Sequence, residues 1–145
     1  VGDGPLRRQL AERHPDYVFC GTRRGDDLAR HFASGDLFLF PSKTDTFGNV
    51  VLEAMALGCP VLSSDCGGME EVIEDGVNGL VFPVARTDVL LSQIQRFVTM
   101  PTHQIERLRE NARETIRANH LLDKQASDMI RLYMRVIDGG SVSKM

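Results

Sequence analysis

The chain is poor in cysteine and contains neither a long apolar run nor a visible signal peptide. Its three cysteines, Cys20, Cys59 and Cys66, are an odd number and lack the spacing of metal ligands. Buried thiols in a reducing cytoplasm are therefore predicted, with a reactive thiol as the less favoured alternative. No apolar run approaches the roughly 18 residues of a membrane span. These absences predict a cytoplasmic protein without a membrane span.

The chain also has no excess of positive charge. Its 17 lysines and arginines are outnumbered by 20 aspartates and glutamates, which gives a formal net charge of -3. This balance argues against a general nucleic-acid-binding surface, so no nucleic acid partner is expected. No internal repeat or low-complexity segment appears. With 145 residues, 42% of them apolar and 26% charged, one globular domain with a substantial core is predicted.

Short apolar runs and helical patterns alternate along most of the chain. Strands are predicted at 17–20, 37–40, 61–63 and 80–82, with helices at 6–13, 26–33, 49–57 and 69–73 between them. The last third carries apolar stripes at helical spacing, which are expected to be packing surfaces. This order predicts an α/β fold, a Rossmann-like doubly wound parallel sheet with a helical C-terminal third. The domain is placed at 1–138 and a disordered tail at 139–145.

The stretch 37–58 predicts a strand, a short polar loop and a helix in succession. The run 37–40 is apolar throughout and is expected to be buried on both faces. The helix at 49–57 is followed by Gly58, a residue suited to ending it. The loop between them therefore leaves the carboxyl end of a strand, which is where ligands bind in open α/β sheets. We expect a ligand site there.

Two carboxylates bracket this turn into the helix. Asp45 comes just before the helix and Glu53 about one turn inside it. Gly48 would let the main chain approach a ligand closely, beside the free N–H groups of the first helical turn. The alternative is structural: Asp45 would interact with the helix dipole, worth ~0.3–1 kcal/mol, and Glu53 would be solvated. The pattern alone leaves both interpretations open.

A longer pattern adds a resemblance to these residues. Asp45 and Glu53 are separated by seven residues, with Phe47-Gly48 after the first acid, Pro-Ser before it and Glu-Ala-Met-Ala-Leu-Gly-Cys-Pro-Val at 53–61. This resembles the E-x7-E donor-binding signature of retaining GT-B glycosyltransferases of the family 4 type. Asp45 departs from the usual glutamate, as in a subgroup of these enzymes, and places its carboxylate one methylene shorter. The segment 67–80 is a second match to the family, and its glycines do not form a G-x-G-x-x-G fingerprint.

The resemblance implies a role for each residue of the loop and helix start. Glu53 would accept hydrogen bonds from the donor ribose, and Asp45 would act catalytically, touching the transferred sugar near its reacting carbon. The donor would also be bound by Phe47, Gly48, Asn49 and Val50. Thr22 and Arg23 would lie near the nucleotide base, although solvated loop charges are the favoured alternative for this basic loop. For Glu71, in the second matching segment, a structural helix role and a ligand role both stay open.

The same resemblance implies the activity. The chain is similar to the C-terminal donor-binding domain of a retaining hexosyltransferase that uses a nucleotide-diphosphate sugar without a metal or another cofactor. An N-terminal domain absent from this sequence would supply the acceptor site, and an upstream Arg and Lys would clamp the diphosphate. The fragment is therefore expected to be inactive alone. The alternatives are a non-catalytic nucleotide- or sugar-binding module and a nucleotide-sugar epimerase of GT-B-like fold.

Overall fold

The structure is a computed structural model that describes residues 1–44 and 48–137, apart from the side chains of residues 122, 125 and 136. Along the chain, its elements are α1 (Arg7–Arg13), α2 (Gly25–Ala33), β1 (Phe38–Phe40), α3 (Asn49–Ala56), β2 (Val61–Ser64), α4 (Met69–Val72), β3 (Leu80–Phe82), α5 (Thr87–Val98), α6 (Thr102–Asn119) and α7 (Leu122–Ile137). The three strands and α3 lie within one residue of their predicted ranges, which is the precision of such boundaries.

The three strands form a parallel sheet in the order β1-β2-β3. Phe38 of β1 lies opposite Val61 of β2, and Leu62 lies opposite Leu80 of β3. All four residues of β2 are buried, as expected for a parallel strand covered on both faces. Since the strands run in one direction, the loops that follow them leave from the same, carboxyl edge of the sheet.

Apolar side chains cover both faces of this sheet. Neighbouring residues of a strand point to opposite faces, so Val61 and Leu62 belong to different clusters. Val61 packs in a cluster with α3, α4 and α6, whereas Leu62 packs with β3 and Phe97 of α5. The prediction of a doubly wound parallel α/β sheet is confirmed, because helices lie on each face.

The strand predicted at 17–20 is wrong, and Cys20 does not end a strand. This segment is irregular, and Tyr17 and Val18 are 67% and 85% exposed. Nearby, the N–H of Gly2 donates to the carbonyl of Gly21 over 2.8 Å. An apolar run becomes a strand only where a neighbouring strand supplies hydrogen-bond partners. Among the described residues, none of the three strands of the sheet pairs with this segment.

Burial is less complete than predicted in β1 and at two of the cysteines. Leu39 is 40% exposed, so β1 is not buried on both faces. The reason is its position, because β1 is an outer strand of the sheet in the part of the chain that is described. Buried thiols were predicted, but only Cys59 is fully buried, while Cys20 and Cys66 are half-buried.

The helical C-terminal third is confirmed, although its last helix packs less than predicted. The stripe of α6 is buried at Leu108, Ala112 and Ile116. On α7, Met129 and Tyr133 are 55% and 59% exposed, so this helix does not bury its apolar face against the described residues. The tail predicted at 139–145 lies outside the described residues. No helix in the described ranges combines the length and hydropathy needed to cross a membrane.

Candidate functional site

Two loops meet at the carboxyl edge of the sheet. One follows β1 and enters α3, and the other follows β2 and enters α4. They touch where Gly48, just before α3, lies against Met69, the first residue of α4. A side-chain carbon added at Gly48 would come within 2.7 Å of the terminal methyl carbon of Met69. Gly48, at the end of the loop with the predicted donor residues, therefore lies beside the turn at Gly67 and Gly68. This glycine turn belongs to the segment 67–80, the second match to the family.

Gly48 is the point at which the chain turns into α3. It is buried, and its φ of +57° lies in the left-handed region that favours glycine. Its carbonyl starts the helix by accepting the N–H groups of Val51 at 2.7 Å and Leu52 at 3.3 Å. The space beside its Cα is taken by Met69. Glycine is thus required here by backbone conformation and by a protein contact, whatever ligand approaches.

The first turn of α3 has its N–H groups at this same edge. Asn49 is exposed and Val50 is half-buried. Their main-chain N–H groups have no acceptor within the helix, because the first turn precedes the first possible carbonyl partners. The aligned peptide dipoles add a partial positive charge at this end. The arrangement suits an anionic or hydroxyl-bearing ligand, and contact of Asn49 and Val50 with a donor stays a prediction.

Glu53 lies one turn further along α3, with its side chain exposed. The neighbours Val51, Ala54 and Met55 are all 0% exposed and fix which side of the helix faces the core. Within the described part of the chain, the carboxylate of Glu53 has no hydrogen bond or ion pair to a protein group. An exposed carboxylate with its acceptor positions open is compatible with ligand binding and with simple solvation, so its role stays a prediction.

The predicted catalytic Asp45 and its neighbour Phe47 lie outside the described residues, and their roles stay predictions. The beginning of their loop is firmly attached to β2. The carbonyl of Ser42 accepts a hydrogen bond from the hydroxyl of Ser64 and another from the thiol of Cys66, the latter at 3.1 Å. Sequence reasoning missed both contacts. The sequence feature that could have indicated them is the position of Ser64 and Cys66 at the carboxyl end of β2, where ligand-binding loops begin.

The basic loop before α2 contributes less to this arrangement. Thr22 is exposed, and Arg23 is half-buried with its guanidinium 3.3 Å from the carboxylate of Asp27 in the first turn of α2. The Nε atom of Arg23 is buried and has no hydrogen-bond partner in the described residues. The ion pair gives Arg23 a local structural contact. The predicted proximity of Thr22 and Arg23 to a nucleotide base stays a prediction.

A further concave surface lies at the carboxyl edge, between the glycine turn and the end of α6. This cavity of about 370 Å³ is lined by Gly67, Gly68, Glu71, Val72, Thr115, Asn119 and His120. Glu71 is exposed on α4, and both interpretations of this residue stay open. No group of three His, Cys, Asp or Glu side chains within residues 1–44 and 48–137 could hold a metal ion. Metal-free donor binding stays a prediction.

The fold and the carboxyl edge of the sheet together define a class of protein. A parallel α/β sheet presents adjoining loops at its carboxyl edge, one of them turning through a left-handed glycine into a helix with open N–H groups. Such edges are the ligand-binding sites of open α/β domains. Residues 1–100 also match the model of the family described as glycosyl transferases group 1. The chain therefore belongs to that family.

Individual relatives agree with the family match. The chain is 43% identical over 84 residues to a GDP-mannose-dependent alpha-mannosyltransferase of Corynebacterium glutamicum, covering 58% of this chain and 20% of the relative. Sucrose-phosphate synthase from Thermosynechococcus elongatus superposes with a TM-score of 0.78 at 27% identity, over 96% of this chain and 38% of that one. The Anabaena protein HepE in complex with UDP-glucose superposes with a TM-score of 0.67 at 25% identity. The match covers 88% of this chain and 39% of HepE. The predicted GT-B fold is confirmed.

Proposed function

We propose that this chain forms the donor-binding part of a nucleotide-sugar-dependent glycosyltransferase. The observation that carries the proposal is the start of α3 at the carboxyl edge of the sheet, with its open N–H groups and the exposed carboxylate of Glu53 one turn further on. Membership of the glycosyl transferase family supports it. The chain spans only 20% to 39% of the relatives described above, so the activity of the whole protein is part of the proposal.

Glu53 is assigned to the ribose of the donor. An ionised carboxylate only accepts hydrogen bonds, so its two oxygens suit the adjacent hydroxyls of a ribose. Its exposure and its lack of a described protein partner leave those oxygens available. Val51, Ala54 and Met55 hold the opposite face of this helix in place by packing in the core. The side chain is therefore presented by a rigid element.

The N–H groups of Asn49 and Val50 are assigned to sugar hydroxyls or the leaving diphosphate. Helix starts bind such groups because open N–H donors and the dipole act together. Phe47 and Gly48 precede them in the donor loop, and Thr22 with Arg23 is proposed for the base. Asp45 is assigned to the transferred sugar near the reacting carbon, where its negative charge would favour oxocarbenium character in the transition state. Retention of configuration and transfer of a hexose without a metal belong to the same proposal.

A nucleoside diphosphate sugar is the proposed ligand, in keeping with the GDP-mannose-dependent relative and the neighbour solved with UDP-glucose. A separate N-terminal domain is proposed to bind the acceptor, with a cationic clamp for the diphosphate. The isolated 145-residue chain is accordingly expected to bind donors weakly and to transfer no sugar.

A ribose-directed titration tests the assignment of Glu53. We would measure binding of GDP, UDP and their 2′,3′-dideoxy forms to the chain and to Glu53→Gln by NMR. The substitution keeps the shape but turns one acceptor into a donor, so affinity for the ribonucleotides should fall about tenfold, while the already weaker dideoxy forms should lose little. Glu114→Gln, on the exposed side of α6, is the matched control. An equal loss for both kinds of nucleotide would contradict the ribose contact.

A further inference from the structure

A cationic cavity lies at the edge of the sheet opposite to the candidate donor site. The turn at 74–79 precedes β3 and therefore lies at the amino edge, as do the end of α5 and the start of α6. Between them is a cavity of about 240 Å³, lined by Gly76, Val77, Arg96, Met100, His103, Gln104, Arg107, Leu108 and Asn111. On α6 its last lining residue is Asn111, and the lining of the carboxyl-edge cavity begins four positions later at Thr115, ~6 Å along the axis at ~1.5 Å per residue.

The polar lining of this cavity is rich in hydrogen-bond donors. Two guanidinium groups, Arg96 and Arg107, converge on it with the imidazole of His103. None of the described lining residues carries a carboxylate. Arg96 pairs with Asp75, whose carboxylate lies 3.1 Å away and is not part of the lining. One carboxylate against two guanidinium groups leaves an excess of positive charge on the concave surface.

Arg96 is held in place rather than free on the surface. Its Nη1 donates to Asp75 at 3.1 Å and to the side-chain oxygen of Gln93 at 3.2 Å. Its Nη2 lies over Gly76, where an added side-chain carbon would approach it to 2.8 Å. Gly76 also has a φ of +77°, so the turn can form under the guanidinium because the residue is glycine. The first cationic wall of the cavity is therefore preorganised.

The opposite wall comes from α6. Asn111 donates from its side-chain nitrogen to the carbonyl of Val77 over 2.8 Å, which joins the helix to the turn. Arg107, one turn earlier on α6, is exposed, and in the described ranges its guanidinium has neither a hydrogen bond nor an ion pair. A single exposed arginine is usually a solvated charge. Here it faces a concavity that already contains a fixed guanidinium, so an anion between the two walls would be attracted by both charges.

We propose that this cavity binds a phosphate group, either as inorganic phosphate or as a phosphomonoester. Guanidinium groups match the oxygens of phosphate in geometry and in charge. The volume suits a small anion, since pockets for drug-sized ligands measure about 300–1,000 Å³. The site lies at the other end of α6 from the donor edge, so it is separate from the diphosphate subsite proposed above. Arg96 and Arg107 bind the anion from the two walls, and His103 and Gln104 complete the rim.

An NMR titration of the 145-residue chain with inorganic phosphate tests this site. Saturable shifts are expected at the amides of Gly76, Val77 and Arg107. Arg107→Gln should weaken phosphate binding about tenfold or more, because a charge-assisted pair is lost. Arg107→Lys keeps the charge without the planar fork and should give a smaller loss. The matched control is Arg117→Gln, the same charge change at an exposed position of the same helix outside the cavity lining.

A second arm identifies the source of the phosphate group. Vesicles of phosphatidic acid in phosphatidylcholine present a phosphomonoester headgroup, and sedimentation with them should depend on Arg107 if the source is a lipid. Binding of free phosphate without such sedimentation would support a soluble source. The proposal is overturned if the phosphate shifts do not saturate, if Arg107→Gln binds as the unaltered chain does, or if Arg117→Gln weakens binding as much as Arg107→Gln.

Discussion

The two edges of the sheet use their polar side chains in opposite ways. At the amino edge, the turn 74–79 is braced by side chains from distant elements. The amide of Asn78, only 6% exposed, accepts from the N–H of Glu74 at 2.8 Å and donates to the carbonyl of Val72 at 3.0 Å and to the hydroxyl of Thr115 at 2.9 Å. Asp75 accepts from the N–H of Val81 at 2.9 Å. This turn satisfies the side chains of Asn78 and Asp75 internally.

The carboxyl edge leaves more of its polar groups open. Its loops are fixed by two contacts. The carbonyl of Ser42 accepts a hydrogen bond from the hydroxyl of Ser64, and Gly48 packs against Met69. Glu53, by contrast, lies beyond these contacts with an exposed carboxylate that pairs with no described residue. A rigid support under open acceptors and donors is what a binding site requires, since the support limits the entropy lost on binding. The comparison indicates that the turn 74–79 acts as scaffold, whereas the start of α3 is suited to the donor binding proposed above.

The largest effect that follows from this comparison is on turnover. In the full-length enzyme that the proposed function implies, Asp45→Asn should lower kcat by ~10²-fold or more, because its charge is felt mainly in the transition state. Affinity for free nucleotide and the unfolding temperature should change little. Steady-state kinetics, nucleotide titration and thermal unfolding check these three results.

Glu53→Gln is the companion variant for Asp45→Asn. It should raise KM more than it lowers kcat, because the ribose contact is made in the ground state as well as in the transition state. The assignment of the two acids is contradicted if Asp45→Asn damages nucleotide affinity while Glu53→Gln spares it. If neither variant alters turnover or affinity, the helix-dipole and solvation interpretation of the two carboxylates is correct.

The sequence allowed the local parts of this comparison to be predicted. The helix α3 and its end at Gly58 were foreseeable from periodicity and from glycine, and Gly58 has a φ of +73° beside the guanidinium of Arg113. The parallel arrangement of the strands followed from their alternation with helices. Contacts between distant residues were not foreseeable, because a turn signal at Asn78-Gly79 says nothing of Thr115, which lies 37 positions away. The wrong prediction of a strand at 17–20 has the same cause, because a strand forms only where a neighbouring strand supplies hydrogen-bond partners.

The next largest effect concerns stability at the braced edge. Asn78→Ala should lower the free energy of unfolding by ~2–4 kcal/mol, because it removes three hydrogen bonds, one of them the buried bond to the Val72 carbonyl. Urea unfolding followed by circular dichroism measures the loss. Asn119→Ala, at an exposed asparagine ending α6, is the matched control and should stay within about 0.5 kcal/mol of the unaltered chain. A loss below about 1 kcal/mol at Asn78 would mean that the turn does not depend on this brace.

The smallest predicted effect is on the pH dependence of stability. It concerns Asp88, a carboxylate at the carboxyl edge that pairs with an arginine. Asp88 is in the first turn of α5, which begins after the carboxyl end of β3. Its side chain accepts from the guanidinium of Arg86 at 2.9 and 2.6 Å, and this hydrogen bonding lowers the pKa of Asp88 to about 2. Both side chains are largely exposed, so screening by solvent keeps the contribution of the pair small. A variant of Asp88 therefore tests whether an ion-paired carboxylate at the carboxyl edge contributes to stability.

The sign of the pH dependence follows from the lowered pKa. An unfolded aspartate has a pKa of ~3.9, so between about pH 4 and pH 2 the unfolded chain takes up the proton first and the stabilisation from Asp88 is lost as pH falls. Asparagine at position 88 does not titrate, so Asp88→Asn removes the part of the stability loss at low pH that comes from this carboxylate. The difference in unfolding free energy between the unaltered chain and Asp88→Asn should thus shrink from pH 5 to pH 2, measured by urea unfolding at each pH. Asp16→Asn, at an exposed aspartate, is the control. If the difference for Asp88→Asn stays constant over this range, the Arg86 pair does not persist in solution, and Asp88 belongs with Glu53 among the open carboxylates of the edge.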